Sequence, residues 1–440
     1  MSGLMLGLTA FVAMLGLIAL RMPVGLAMLV VGSIGYTHLT SGAIFLNYLK
    51  STPYHLFSNY TLSVIALFIL MGAFAERGGQ SRNLFLAAAA LVGKVRGGMA
   101  MAVIWAATIF AAICGSSVAT TATFGRAVLP ELKRYNYGMA LATGTIAISG
   151  VIGILIPPSI ILVVYAISTE QNIVKLFSAA LIPGLLASVF YTIAIAWTVR
   201  RDPAAGPVQE IALQGPERRR VLLRVWGFLG VVLLVLGGIY AGIFTPTEGA
   251  AVGTVATFVL ALSQRELNWD SIKTCLLQTG ETAAMIFAIL LGAEVFNAFL
   301  ALTQLPMQLA DAIAGSGLPP YGVMVLLLVA YLVLGAVMDE LAMILLTLPI
   351  FFPVVMALDF GLPPDEVAIW FGILVLVVVG IGLTAPPIGM NVFVVSAIAK
   401  DVPIVTTYRG VLPFIAADIT RLALLTAFPA ISLWLMRLLD

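Results

Sequence analysis

Hydrophobic positions in this chain fall in long runs, with little of the apolar–polar alternation of a soluble fold. Runs near Leu4–Leu20, Val24–Thr40, Leu62–Phe74, Gly138–Ser168, Leu181–Val199, Val225–Ala241, Gly249–Leu262, Thr282–Leu300, Val367–Ala399 and Leu412–Leu435 predict membrane helices. A helix needs roughly 20 apolar residues to cross a hydrocarbon layer about 30 Å thick. The expected class is therefore an all-α integral membrane protein. No basic stretch precedes Leu4–Leu20 and no small-residue cleavage site follows it, so it reads as a retained helix and not a signal peptide.

The polar positions orient these runs. Lys and Arg are absent from Thr274 through Ala399, whereas Lys94, Arg96, Arg126, Lys133 and Arg134 crowd the flanks of Met99–Leu129. Cytoplasmic loops collect Lys and Arg. Both ends of 99–129 are thus expected in the cytoplasm, which makes it a re-entrant hairpin with its tip at Gly115-Ser116-Ser117. The segment 321–358 has Asp311 before it and Asp359, Asp365 and Glu366 after it. Its ends are expected on the opposite face, with a tip at Gly335–Asp339. In the alternative reading, each segment is two ordinary crossing helices with polar interhelical contacts.

A polar connection, 201–224, divides the chain into 1–200 and 225–440. It carries Arg201, Arg218, Arg219, Arg220 and Arg224 against Asp202, Glu210 and Glu217, with Pro203, Gly206, Pro207, Gly215 and Pro216 as helix breakers. The two parts echo each other. Gly72, Gly97 and Gly115 recur with the same spacing as Gly292, Gly317 and Gly335, Pro157-Pro158 recurs as Pro386-Pro387, and Pro183 as Pro413. Two inverted repeats follow, each with a hairpin (99–129, 321–358) and a broken helix (138–168, 367–399). In such folds, binding sites form where the breaks meet at the bilayer midplane.

Composition narrows the function. The 440 residues are 61% hydrophobic and 10% charged, with a mean hydropathy of +1.11. A formal charge of +2 without a basic, aromatic-interleaved run argues against nucleic acid. Cys114 and Cys275 lie in apolar text and read as small core residues. His38 and His55 are isolated, and neither is assigned a role.

Four motifs could carry chemistry. In Cys114–Thr123, the hydroxyls of Ser116, Ser117, Thr120, Thr121 and Thr123 sit among small residues, so carbonyl and hydroxyl oxygens are available to a hard cation such as Na⁺. Close helix packing is the plain structural reading. In Gly153–Ser159, the prolines remove two donors and break a helix in mid-membrane, and Gly382–Pro387 repeats the pattern. In Gly335–Ala342, Asp339 and Glu340 are the only charges, and an aspartate costs about 2.5–3.5 kcal/mol at a helix centre. Asp339 could steady the hairpin tip through backbone donors, ligate the cation or carry a proton, and the tip role is preferred. After the second break, Asn391 offers a donor and an acceptor or caps the half-helix. Helix N-termini beyond Pro158 and Pro387 suit a carboxylate. Asp418 and Arg421 lie on one helical face and are expected to pair, and Thr247 is expected to cap the turn carrying Glu248.

These motifs mark a resemblance. Phe68–Gly72, Gly115–Thr120, Gly153–Ser159, Phe244–Glu248, Leu334–Ala342 and Gly382–Asn391 resemble, in order, the large membrane subunit of tripartite ATP-independent periplasmic transporters. The second hairpin departs from the family's Asp-Pro-Thr, reading Asp339-Glu340-Leu341. The resemblance implies an elevator-type carrier of the bacterial inner membrane that imports small organic acids with Na⁺ as coupling ion and no other cofactor. It also implies a soluble periplasmic binding protein and a small four-helix membrane subunit as partners. By carry-over, Gly115, Ser116, Ser117 and Gly153 build one cation site, while Gly335, Asp339, Thr384 and Pro386 lie at or beside a second. Thr120, Pro158, Ser159, Pro387 and Asn391 are the candidate substrate contacts.

Other classes fit less well. An ATP-driven pump lacks its phosphate loop, since Gly93-Lys94 has neither the upstream glycine nor the following hydroxyl. An intramembrane enzyme has no His-Glu-x-x-His, and Gly315-Ser316-Gly317 is only a weak serine-protease echo. A channel would not need paired broken helices. Proton-coupled transport of an organic anion without a binding protein is the alternative within the transporter class.

Overall fold

The computed structural model describes residues 3–92, 94–208, 215–315 and 317–439, apart from the side chains of 215–220, 222 and 314. Linker residues 209–214, Glu210 among them, lie outside the described residues, as do Gly93 and Ser316. The described chain is helical throughout. The first part contains α1 (Gly3–Ala19), α2 (Val24–Leu39), α3 (Gly42–Phe57), α4 (Ser63–Arg77), α5 (Gln80–Val92), α6 (Gly98–Cys114), α7 (Ser117–Arg134), α8 (Met139–Leu155), α9 (Ile160–Ser168) and α10 (Ile173–Arg201). The second contains α11 (Gly215–Tyr240), α12 (Pro246–Ser263), α13 (Trp269–Thr303), α14 (Leu305–Ala314), α15 (Pro320–Gly335), α16 (Glu340–Met356), α17 (Pro364–Gly382), α18 (Met390–Ile398), α19 (Ile404–Ala427) and α20 (Ala430–Leu439). Among the described residues, six helices are long and apolar enough to cross a membrane, or up to seven if α8 and α9, bent by 41°, form one broken span.

Several boundaries differ from those read in the sequence. The amphipathic α3 and the short α5 and α14 were not foreseen. α10 starts before Leu181 because Asn172 caps it, accepting from the N–H groups of Val174 and Lys175. The run Leu412–Leu435 is split between α19 and α20 around Pro429, whose nitrogen cannot donate. The cap of α12 is Thr245 and not Thr247: Pro246 takes the first helical position, and Thr245 and Glu248 close a reciprocal capping box.

Both hairpins form. A straight helix would hold Phe110 and Phe124 about 21 Å apart, yet their rings meet edge to face at 5.6 Å. The base of this hairpin is sewn together, with Met99 N–H donating to the Tyr137 hydroxyl at 3.2 Å. Gly97 N–H donates to the Gly206 carbonyl at 3.0 Å and Gly138 N–H to the Ala205 carbonyl at 2.9 Å. In the second hairpin, Tyr331 of one arm meets Phe351 of the other at 5.2 Å, and Tyr321 meets Phe360 at 5.6 Å at the base.

The two hairpins enter from opposite faces. Lys133, at the base of the first, bonds Asp401 beyond the end of α18 at 2.6 and 2.7 Å, holding that carboxyl below its ordinary range. Tyr165, near the end of α9, donates at 2.6 Å to the Ala368 carbonyl at the start of α17, beside the second base, where Phe360 meets Trp370. Thus α8–α9 runs from the first base to the second, and α17–α18 runs back. Packing exchanges in the same way: α7 lies on α18 and α16 on α9, α8 on α19 and α17 on α10, α2 on α13 and α4 on α12. The fold is an all-α membrane architecture of two inverted repeats.

One ionic network pins the halves. Asp418 and Arg421 are fully buried and paired at 2.7 Å. The Tyr191 hydroxyl of α10 lies 2.8 and 2.7 Å from the Asp418 carboxylate, and Arg421 also donates to the Pro183 carbonyl at 3.1 Å.

Candidate functional site

The first tip is built by one residue without a side chain. Gly115 has φ +59°, and a Cβ there would come within 2.5 Å of the Pro158 carbonyl oxygen. The hairpin tip and the first helix break therefore touch backbone to backbone, and Ile160 N–H donates to the Gly115 carbonyl at 3.4 Å. Ser116 caps α7, accepting from Ala119 N–H at 3.4 Å, and Ser159 caps α9, accepting from Leu162 N–H at 3.5 Å. Gly153 faces this tip. A Cβ on it would sit 3.0 Å from the Ser116 carbonyl oxygen and 3.1 Å from Thr120 Oγ1. Thr120 is fully buried, and its hydroxyl has no hydrogen-bond partner. An orphaned hydroxyl, a carbonyl and a glycine cradle form an oxygen-only donor set, which fits a hard cation.

Ser117 and Asn391 are brought together across the repeats. Ser117 Oγ donates to Asn391 Oδ1 at 3.1 Å, and Asn391 Nδ2 donates to Ser117 Oγ at 2.9 Å and to the Ala147 carbonyl at 3.2 Å. Asn391 is buried and does not cap α18, whose N-cap is Gly389. Its amide braces α18 against the first hairpin and α8.

At the second tip, Asp339 is the N-cap of α16, accepting from the N–H groups of Leu341 at 3.1 Å and Ala342 at 3.3 Å. Gly335 lies against Gly382 at the end of α17, where a Cβ on Gly382 would come 2.6 Å from the Gly335 carbonyl carbon. Thr384 is buried and donates to the Ile381 carbonyl at 3.1 Å. The two breaks are not equivalent in burial. Pro157 and Pro158 are buried while Pro386 and Pro387 are exposed, and Tyr408 donates to the carbonyls of Pro387 at 3.1 Å and Ile388 at 2.6 Å. Both Pro-Pro bonds are cis.

A cavity of about 580 Å³ lies where the tips converge, lined by Gly115 and Ser116 of one tip, Asp339 and Glu340 of the other, and Met390 of α18. The buried cluster of Ser117, Thr120, Pro158, Ser159 and Asn391 stands behind the first tip, outside the cavity lining. Thr384, Pro386 and Pro387 are also absent from the lining. The lining is completed by Arg126 of α7 in the first hairpin and, from the surrounding helices, by Gly72, Ala73 and Glu76 of α4 and Gln278 and Thr282 of α13. The sequence had flagged Arg126 for topology alone, and nothing in the pattern of hydrophobicity singled out Glu76, Gln278 or Thr282.

Residues 11–431 match the family described as tripartite ATP-independent periplasmic transporter, DctM component. The chain is 37% identical over 378 residues to the C4-dicarboxylate TRAP transporter large permease protein DctM of Pseudomonas aeruginosa, covering 85% of this chain and 86% of that one. It is 30% identical over 425 residues to the sialic acid TRAP transporter large permease protein SiaM of Vibrio cholerae, covering 96% and 97%. Its fold is similar to the crystal structure of the YdaH transporter of Alcanivorax borkumensis, with TM-score 0.63, 16% identity and coverage of 88% and 89%. The matched span includes both hairpins, both broken helices and the cavity between them, and on that evidence the chain belongs to the DctM component family of tripartite ATP-independent periplasmic transporters.

Proposed function

We propose that this multi-pass inner-membrane protein is the permease of a sodium-driven importer of a small organic acid. Its partners are a periplasmic binding protein and a small four-helix membrane subunit. The observation that carries this reading is the convergence of two oppositely inserted tips on one cavity, beside an oxygen cradle at Ser116, Thr120 and Gly153. The P. aeruginosa relative is named for C4-dicarboxylates, the V. cholerae relative for sialic acid and an Escherichia coli relative for 2,3-diketo-L-gulonate, which supports an acid as cargo. An Oleidesulfovibrio alaskensis relative named DctMQ, 32% identical and 61% covered by this chain, supports the small partner. Transport without a binding protein finds no support, since the family is tripartite by name.

Sodium ions are co-substrates in this reading. Gly115, Ser116 and Gly153 offer carbonyl oxygens to one ion, with Thr120 adding its hydroxyl, while Ser117 and Asn391 hold the tip in register. Gly335, Asp339, Thr384 and Pro386 shape the second position, Asp339 by fixing the start of α16. The acid enters the cavity between the tips, near the start of α9 beyond Pro158 and Ser159 and the start of α18 beyond Pro387. An elevator step then moves tips and cargo together past the α4 and α13 wall.

The test is uptake by the three-component system in proteoliposomes, with labelled succinate, sialic acid and 2,3-diketo-L-gulonate as probes. Saturable uptake of one acid that needs both an inward sodium gradient and the binding protein is expected. Uptake driven equally well by a proton gradient without sodium would overturn the coupling assignment.

A further inference from the structure

Among the described residues that line the cavity, Arg126 is the one basic side chain, and the other charged ones, Glu76, Asp339 and Glu340, are all acidic. An organic acid entering this space meets three carboxylates and one guanidinium. Arg126 Nη2 donates to Glu76 Oε1 in an ion pair that joins α7 of the first hairpin to α4. α4 in turn packs on α12 and α13, so the bridge connects a hairpin to the surrounding wall. The side chains are 60% and 28% exposed. A pair this open to water contributes little and exchanges readily. A guanidinium presents a planar fork of five donors matched to carboxylate geometry, and Glu76 engages it through Nη2.

We propose that Arg126 is the residue that recognises the substrate's carboxylate, and that Glu76 is its internal stand-in in the empty carrier. On binding, the substrate carboxylate takes the place of Glu76 on the guanidinium. The exchange keeps one carboxylate on Arg126 and releases that of Glu76 to the water to which the pair is already open, and it unties the hairpin from α4 when cargo is present. Binding and release of the hairpin are thereby one event. The inference rests on the organic-acid reading given above and deepens it by naming the contact.

The experiment compares Arg126→Gln and Glu76→Gln in the full reconstituted system, measuring KM for the acid probes, kcat and the sodium concentration for half-maximal uptake. Removing the receptor raises KM by about tenfold or more. Removing the competing carboxylate lowers it by a few-fold, the opposite sign. Sodium half-saturation stays within about twofold in both, because neither side chain belongs to the oxygen cradle. If Arg126→Gln fails to assemble, Arg126→Lys, which keeps the charge but loses the fork, is expected to raise KM by a smaller factor. Shifts of the same sign in Arg126→Gln and Glu76→Gln, or an unchanged KM in Arg126→Gln or Arg126→Lys, would reduce the pair to a helix–helix tie and overturn the proposal. In that outcome the wild type still transports an acid, and the organic-acid reading stands. A wild type that takes up none of the three probes removes that reading and this inference together.

Discussion

Thr120 shows how single atoms decide what a hydroxyl-rich stretch is for. Its hydroxyl is buried without a partner, a situation that costs about 1–3 kcal/mol when nothing else satisfies the group. A bound cation would satisfy it. Thr120→Val keeps the shape and removes the orphan. We therefore expect an unchanged or higher melting temperature for the purified protein, together with a several-fold rise in the sodium concentration for half-maximal uptake. A raised melting temperature with unchanged sodium dependence would assign the hydroxyl to packing. The sequence made the oxygen-rich patch visible but not the division of labour within it. Ser117 and Thr120 look alike in the text, yet Ser117 is engaged by Asn391, which lies in the other repeat. The Arg126–Glu76 pair was hidden for the same reason, because each residue is ordinary in its own segment.

At the scale of elements, the broken helices were legible because their causes are local. Pro157-Pro158 and Pro386-Pro387 remove donors whatever surrounds them, and Gly115 allows a left-handed turn that a side chain would oppose. α3 and α5 were not legible, because Asn47, Lys50 and Pro53 interrupt the first and Gln80, Arg82 and Asn83 open the second, so neither presents a membrane-length run. Asp339 acts on its element as a cap. Asn caps nearly as well as Asp, while loss of a cap to Ala costs about 1 kcal/mol. Initial uptake rates in Asp339→Asn are expected within about threefold of wild type, and Asp339→Ala is expected to lose about fivefold with membrane insertion intact. Near-complete loss in the Asn variant would point instead to the charge. The α10–α19 contact makes a second prediction. Asp418→Asn leaves Arg421 buried and uncompensated, which is expected to destabilise the protein by about 3–5 kcal/mol, read as a lower melting temperature of the detergent-solubilised protein.

For the whole molecule, the pattern of Lys and Arg carried the most information. Loops on one face collect basic residues, and the basic-free stretch through the second hairpin marked the inversion before any contact was known. The bonds from Lys133 to Asp401 and from Tyr165 to Ala368 then place the two hairpin bases at opposite ends of the broken helices. The lengths of α10 and α13 were less legible, since each continues past its apolar run into polar text that charge and hydropathy assign to loops. The most direct test of the mirrored hairpins is labelling of single cysteines in intact cells with a membrane-impermeant maleimide. Cysteines replace Arg134 or Asp359, both exposed, in a background where Cys114 and Cys275 are alanine. The cysteine at 359 is expected to label directly and the one at 134 only after permeabilisation. Equal labelling of both from one face would contradict the inverted architecture.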